Sequence, residues 1–319
     1  SLELLLSLLT KPSADENGFS PEQLSTEIRL TAEDIESEIN DKRSYAMTRM
    51  LETMCADEIY GLTKNEILEN VKKVTPQSLL AAWKFMLKNG IIQLNAIGNI
   101  SEDDCKKKLR EAFSDVGERT PYEPETVFVE EAEDLTELTE ELTMNQSKLV
   151  LGFRGGMTDE NDDFYSRRIM TDVFGGGPYS RLFMNVREKL SLCYYCSARL
   201  IRGKGIIVIQ SGIEKENRQK VLDEINRQLD IMKNGEFSDE DFEASKKAIC
   251  DAYRSFNDTP DALDIYYGTQ LTGDIVTPDE AIENFLAVTR DDVKKTACAL
   301  SLDTVYMLAG TDKEDGADE

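Results

Sequence analysis

The feature that most constrains this chain is that it repeats itself at long range. Residues 65–79 read NEILENVKKVTPQSL and residues 279–293 read DEAIENFLAVTRDDV, so that Glu66, Glu69, Asn70, Val74 and Thr75 align without a gap on Glu280, Glu283, Asn284, Val288 and Thr289. Upstream, FSPEQ from Phe19 matches FSDED from Phe237, and downstream IIQLNAIG ending at Gly98 matches TVYMLAG ending at Gly310. An offset of 212 to 218 residues is held across most of the first hundred positions, which chance likeness between two helices would not sustain. The chain reads as a tandem duplication. Residues 125–217 have no counterpart at the front, so the first copy lacks roughly its N-terminal half, and the reading is of a piece of a longer protein.

The second copy can be read through. Leu149, Leu151 and Phe153 alternate as a strand over Lys148 to Arg154, ended by Gly155 and Gly156. A helical stripe over Asp162 to Phe174 closes on Gly175-Gly176-Gly177-Pro178, and a shorter helix runs from Ser180 to Leu190. Cys193 to Leu200 and Gly205 to Ile213 make two antiparallel strands around Arg202-Gly203-Lys204. Val221, Leu222, Ile225 and Leu229 give the next helix a buried face stopped by Gly235, and Ser238 caps the one after it. The fold class expected is α+β: tandem duplicated domains, each a mostly antiparallel β-sheet covered by helices, with the first copy incomplete. The organisation expected is 1–116 for the C-terminal half of the first domain, 117–124 for a linker, 125–311 for the second domain and 312–319 for a disordered acidic tail.

Composition narrows the chemistry. A formal charge of −25 opposes binding to nucleic acid or anionic membrane, and no apolar run approaches the roughly 18 residues of a membrane span. The count of zero histidines removes the commonest zinc ligand and the commonest neutral-pH base, so no Ser-His-Asp or Cys-His catalysis can arise within these residues. Four of the six cysteines are isolated, and Cys193-x-x-Cys196 is only half of a four-thiolate site. On an extended strand those two point to opposite faces. Free thiols in a reducing compartment are the reading.

Other segments invite bland explanations. The nine carboxylates between Glu123 and Glu141 suit an edge strand or loop kept soluble by charge. The three glycines at 175–177 lack a nucleotide-binding pattern and suit close backbone approach to another chain segment or a peptide. Arg187 and Tyr194 hold more chemistry. A strand folding back beside a helix end would bring a guanidinium and a phenol together, two donors able to polarise one carbonyl oxygen. A helix-capping Arg187 and a core Tyr194 are the ordinary alternatives.

At these residues the sequence resembles the insulinase (pitrilysin) family of zinc peptidases. The pattern is Gly175 to Gly177, Ser180-Arg181-Leu182-Phe183, Arg187-Glu188-Lys189-Leu190 and Tyr194, and the likeness extends over nearly the whole chain. It implies that Arg187 and Tyr194 bind the scissile carbonyl of a peptide. The family's H-x-x-E-H zinc motif is absent, and Glu33, Glu36 and Glu38 are given no metal role without its histidines. Ser191 departs from the glycine usual before L-x-Y. NVREKLSLCYY and residues 40–61 most resemble the non-catalytic member of bacterial two-subunit pairs, which implies a cytoplasmic heterodimer. Zinc would then sit in a homologous partner subunit, with none in this chain, and the chain alone would be inactive. The alternatives are a structural subunit of the same fold, or a piece of an active zinc peptidase whose motif lies upstream of residue 1.

Overall fold

The computed structural model describes residues 2–123, 125–156, 163–271 and 275–311; the expected acidic tail at 312–319 lies outside the described residues. The first copy runs α1 (Leu2–Thr10), a short hairpin of β1 (Ala14–Asp15) and β2 (Gly18–Phe19), α2 (Pro21–Ser37), α3 (Lys42–Met54), α4 (Lys64–Val71), α5 (Pro76–Asn89) and α6 (Glu102–Ala112). The second opens with β3 (Thr136–Thr143), β4 (Ser147–Arg154), α7 (Phe164–Gly175), a π-helix (Phe183–Lys189), β5 (Cys193–Ile201) and β6 (Ile206–Ile213). It continues with α8 (Arg218–Asn234), α9 (Asp239–Ser255), α10 (Pro260–Gly268), α11 (Pro278–Ala287), α12 (Arg290–Cys298) and β7 (Ser301–Thr311).

The series α1 to α5 recurs as α8 to α12, and the repeat reaches the caps. Thr75 accepts from the Ser78 N–H at 3.1 Å and Thr289 from the Asp292 N–H at 3.3 Å, each closed reciprocally by the side chain of the third residue. Ser238 accepts from the Asp241 N–H at 3.0 Å, and α8 ends where Gly235 turns to φ 76°. Where the copies differ is the strand expected to end at Gly98. Residues 91–98 form no ladder, whereas their counterparts in β7 lie hydrogen-bonded between β3 and β4. The reason is pairing: the first copy has no equivalent of β3 or β4 among these residues, and a strand without a neighbour leaves its backbone groups to water.

Two compact units are interleaved along the chain: the described residues of Ser1–Glu36, Lys64–Glu125 and Tyr253–Ala281 form one, and those of Ser37–Thr63, Thr126–Ala252 and Ile282–Glu319 the other. In the first, Arg119 donates to Leu87 O at 2.7 Å while the Thr120 and Tyr122 N–H groups donate to Lys88 O and Asn89 O at 3.0 Å each. The stretch expected as a linker thus satisfies carbonyls left open at the end of α5.

The second unit is built on a five-stranded sheet ordered β3-β7-β4-β6-β5, antiparallel except for β3 against β7. The α+β class with a mostly antiparallel sheet is therefore observed. Val150, Val208, Tyr306 and Leu308 pack on one face against Ala46, Met50, Met54 and Cys55 of α3 and its end. Leu149, Leu151 and Phe153 are buried on the other face by the period of two. Gly152 lets α3 approach, since a Cβ there would run into the sulfurs of Met50 and Met54. Buried Arg154 ties the end of α3 to the sheet, donating to Met54 O at 2.6 Å and pairing with Asp303 at 3.0 Å and Glu58 at 3.5 Å. Lys204 pairs with the same Glu58, so both buried cations are matched by carboxylates. The acidic stretch does supply an edge strand, β3. Its Glu140 and Glu141 are paired with Arg49 at 2.7 Å and Lys215 at 2.9 Å.

Candidate functional site

The site begins where α7 ends. A Cβ on Gly175 would strike the Ala198 backbone nitrogen, so the close approach at this first glycine of the run is between α7 and β5 of this chain. After it, the helix expected over Ser180 to Leu190 widens into the π-helix Phe183–Lys189, with Leu190 N–H donating to Asn185 O at 3.2 Å. Such wide turns are rare and concentrate at functional sites, and nothing in side-chain spacing announces them. Arg187 lies on this turn. Its guanidinium sits over the Phe183 ring at 4.7 Å and 3.6 Å from a Glu188 carboxylate oxygen.

Ser191 then takes φ 51°, the left-handed region that favours glycine, which is where the resemblance had placed one. The turn is closed by Ser191 N–H to Arg187 O and Leu192 N–H to Val186 O, each at 3.0 Å. β5 enters with a bulge: Cys193 pairs with Ile213 and Tyr195 with Gly212, leaving Tyr194 as the extra residue. A bulge re-aims its side chain. Tyr194 is 56 % exposed and its hydroxyl donates to Glu214.

The structure brings Arg187 and Tyr194 together. They line one open cavity of about 430 Å³ with Glu188, Ser191, Cys193 and Glu214. The hydrogen bond to Glu214 and that residue's charge raise the Tyr194 phenol above its ordinary value, which keeps it a neutral donor. Glu214 was not among the sequence-derived candidates; it follows β6 with no local motif, and only the pairing of β6 with β5 places it here.

The bulge also overturns the expectation that Cys193 and Cys196 face apart. Because Tyr194 is left out of the ladder, Cys193 and Cys196 fall two register positions apart, against Ile213 and Ser211, and share a face. Each thiol shifts the titration of the other, Cys193 downward and Cys196 upward.

A zinc ion, which the family resemblance implies, does not fit α7, the equivalent of the family's motif helix. That helix presents buried Arg167, bonded to Gly155 O, and an Asp172 engaged by Tyr179 at 2.7 Å and Arg168 at 3.4 Å.

The family model described as "Peptidase M16 inactive domain" matches residues 73–249, more than half of the chain. The chain belongs to the peptidase M16 family. Among M16 relatives, it is 30% identical over 315 residues to the "Probable inactive metalloprotease YmfF" of Bacillus subtilis (strain 168), covering 98% of this chain and 73% of that protein. The M16 fold is matched by the crystal structure of a conserved protein from Enterococcus faecalis V583, with a TM-score of 0.84 at 24% identity over 98% of this chain and 75% of that one. It is matched too by a peptidase M16 inactive domain from Pseudomonas fluorescens, with a TM-score of 0.74 at 14% identity over 98% and 76%. Among the described residues of this M16 chain, no helix is long and apolar enough to cross a membrane.

Proposed function

We propose that this M16 chain is the non-catalytic, peptide-binding member of an insulinase-type pair, in which Arg187 and Tyr194 hold the scissile carbonyl while a homologous partner subunit carries the zinc site. The observation behind the reading is that the two donors line one cavity although one lies on a π-helix and the other on a strand. Negative charge grows on the carbonyl oxygen as the peptide bond is attacked, and two preorganised donors stabilise it. Neither side chain can attack the carbonyl or activate water, and with no histidine in the chain the metal and base come from elsewhere. The name of the Bacillus relative, a probable inactive metalloprotease, supports a non-catalytic role. Six free cysteines support a cytoplasmic location.

The test is to mix the chain with a zinc-bearing M16 subunit and an unstructured peptide. Arg187→Ala is expected to lower turnover by roughly 100-fold, and turnover that ignores the substitution would defeat the reading. One observation favours a second reading, an inactive assembly subunit: the Tyr194 hydroxyl is already engaged by Glu214, as in an architectural contact. In that case the Arg187→Ala and wild-type chains would assemble with the partner equally and neither would alter its turnover.

A further inference from the structure

We infer that Cys193 and Cys196 form an oxidisable dithiol, a modification site whose co-reactant is a small-molecule disulfide. The inference does not depend on whether Arg187 and Tyr194 hold a peptide. Four of the six thiols, Cys55, Cys105, Cys250 and Cys298, are isolated in sequence. Cys193 and Cys196 lie opposite Ile213 and Ser211, two register positions apart on one face of β5, and each thiol shifts the titration of the other. The bulge at Tyr194 makes this shared face, since on a regular strand residues three apart lie on opposite faces. Two thiols that neighbour each other on one strand face need side-chain rotation rather than a large backbone movement to reach bonding distance, about 2 Å.

The two thiols have different parts. Cys193 is half-buried and lines the 430 Å³ cavity, and β5 is the edge of the sheet, so a small disulfide can reach it. The neighbouring Cys196 thiol, then Ser211 and the Arg187 guanidinium, draw the Cys193 thiol below its ordinary value despite burial. Cys196 is buried, with its thiol held up by the neighbouring Cys193 and by burial. The Cys193 thiolate attacks one sulfur of the oxidant, forming a mixed disulfide and expelling one thiolate. Cys193 then carries no charge, so one cause of the raised Cys196 value is gone. Cys196 loses its proton and attacks the Cys193 sulfur, expelling the second thiolate. Two protein thiols become one disulfide, one small disulfide becomes two thiols, and the two protein protons pass to the leaving groups. The bond closes over Tyr194 and pinches the bulge that aims it.

The test incubates the full chain with excess glutathione disulfide, alkylates it after denaturation and maps the cysteines by mass spectrometry. The peptide holding residues 193–196 is expected to lose two hydrogens and to resist alkylation, while Cys196→Ser instead accumulates one glutathione on Cys193. Two results would overturn the inference. In one, residues 193 and 196 are both alkylated although exposed Cys298 has taken up glutathione. In the other, the wild-type chain stops at a mixed disulfide on Cys193.

Discussion

The Tyr194 hydroxyl donates to Glu214, twenty residues further along the chain, and both residues line the cavity they share with Arg187. A carboxylate acceptor keeps the phenol protonated and fixes its direction. It also competes for the proton that a peptide carbonyl would receive.

Glu214→Gln is therefore expected to lower the titration point of Tyr194, because the bond and the negative charge that raise it are both weakened. Ultraviolet titration of Glu214→Gln against Glu214→Gln/Tyr194→Phe isolates this tyrosine from the other ten. If the two donors hold a peptide, Tyr194→Phe weakens peptide binding by up to roughly tenfold, the worth of one hydrogen bond.

Ser191 bears a side chain at φ 51°, where the Cβ crowds the backbone. Ser191→Gly relieves that crowding but adds freedom to the unfolded chain, so the net gain expected is about 0.5–1 kcal/mol. A higher urea midpoint with unchanged slope would show it; a lower midpoint would show that the serine side chain is needed.

Gly175→Ala places a methyl group against the Ala198 backbone, which cannot rotate away. The cost expected is about 2–3 kcal/mol, as for other overpacked sites. Because α7 and β5 are pushed apart, amide hydrogen exchange should quicken along β5, whereas Gly203→Ala, with nothing near its Cβ, leaves stability within about 0.5 kcal/mol.

Burial, then the Glu58 charge, push the Cys55 thiol up from near 9 to about 11. A folded value above the unfolded one means that the neutral thiol stabilises the fold fully below pH 9, and that this contribution is lost as pH rises from 9 to 11. The loss amounts to about 2–3 kcal/mol. Urea unfolding of wild type should therefore fall more steeply than that of Cys55→Ala across this window, and parallel curves would refute the linkage.

Much was legible without coordinates because it is written over short stretches of chain. The duplication was visible in the aligned Thr75 and Thr289, whose caps close within three residues, and in Gly235, which ends α8 by its own φ. Arg187 and Tyr194 could be singled out because seven residues suffice to turn from a helix end into a strand. The sheet strands of the second copy followed from alternation.

Tertiary structure decided what depends on partners far along the chain. Residues 91–98 and β7 carry similar sequences, yet only β7 is a strand, because a ladder needs neighbours on either side. Opposite faces for Cys193 and Cys196 follow from a regular period of two, but the pairing of β5 with β6 inserts Tyr194 as a bulge and turns both thiols one way. Glu214 and the π-helix belong to the same class. Caps and periodicity are contracts between residues within about four positions, whereas register, bulges and cavity walls are settled only when strands from distant sequence meet.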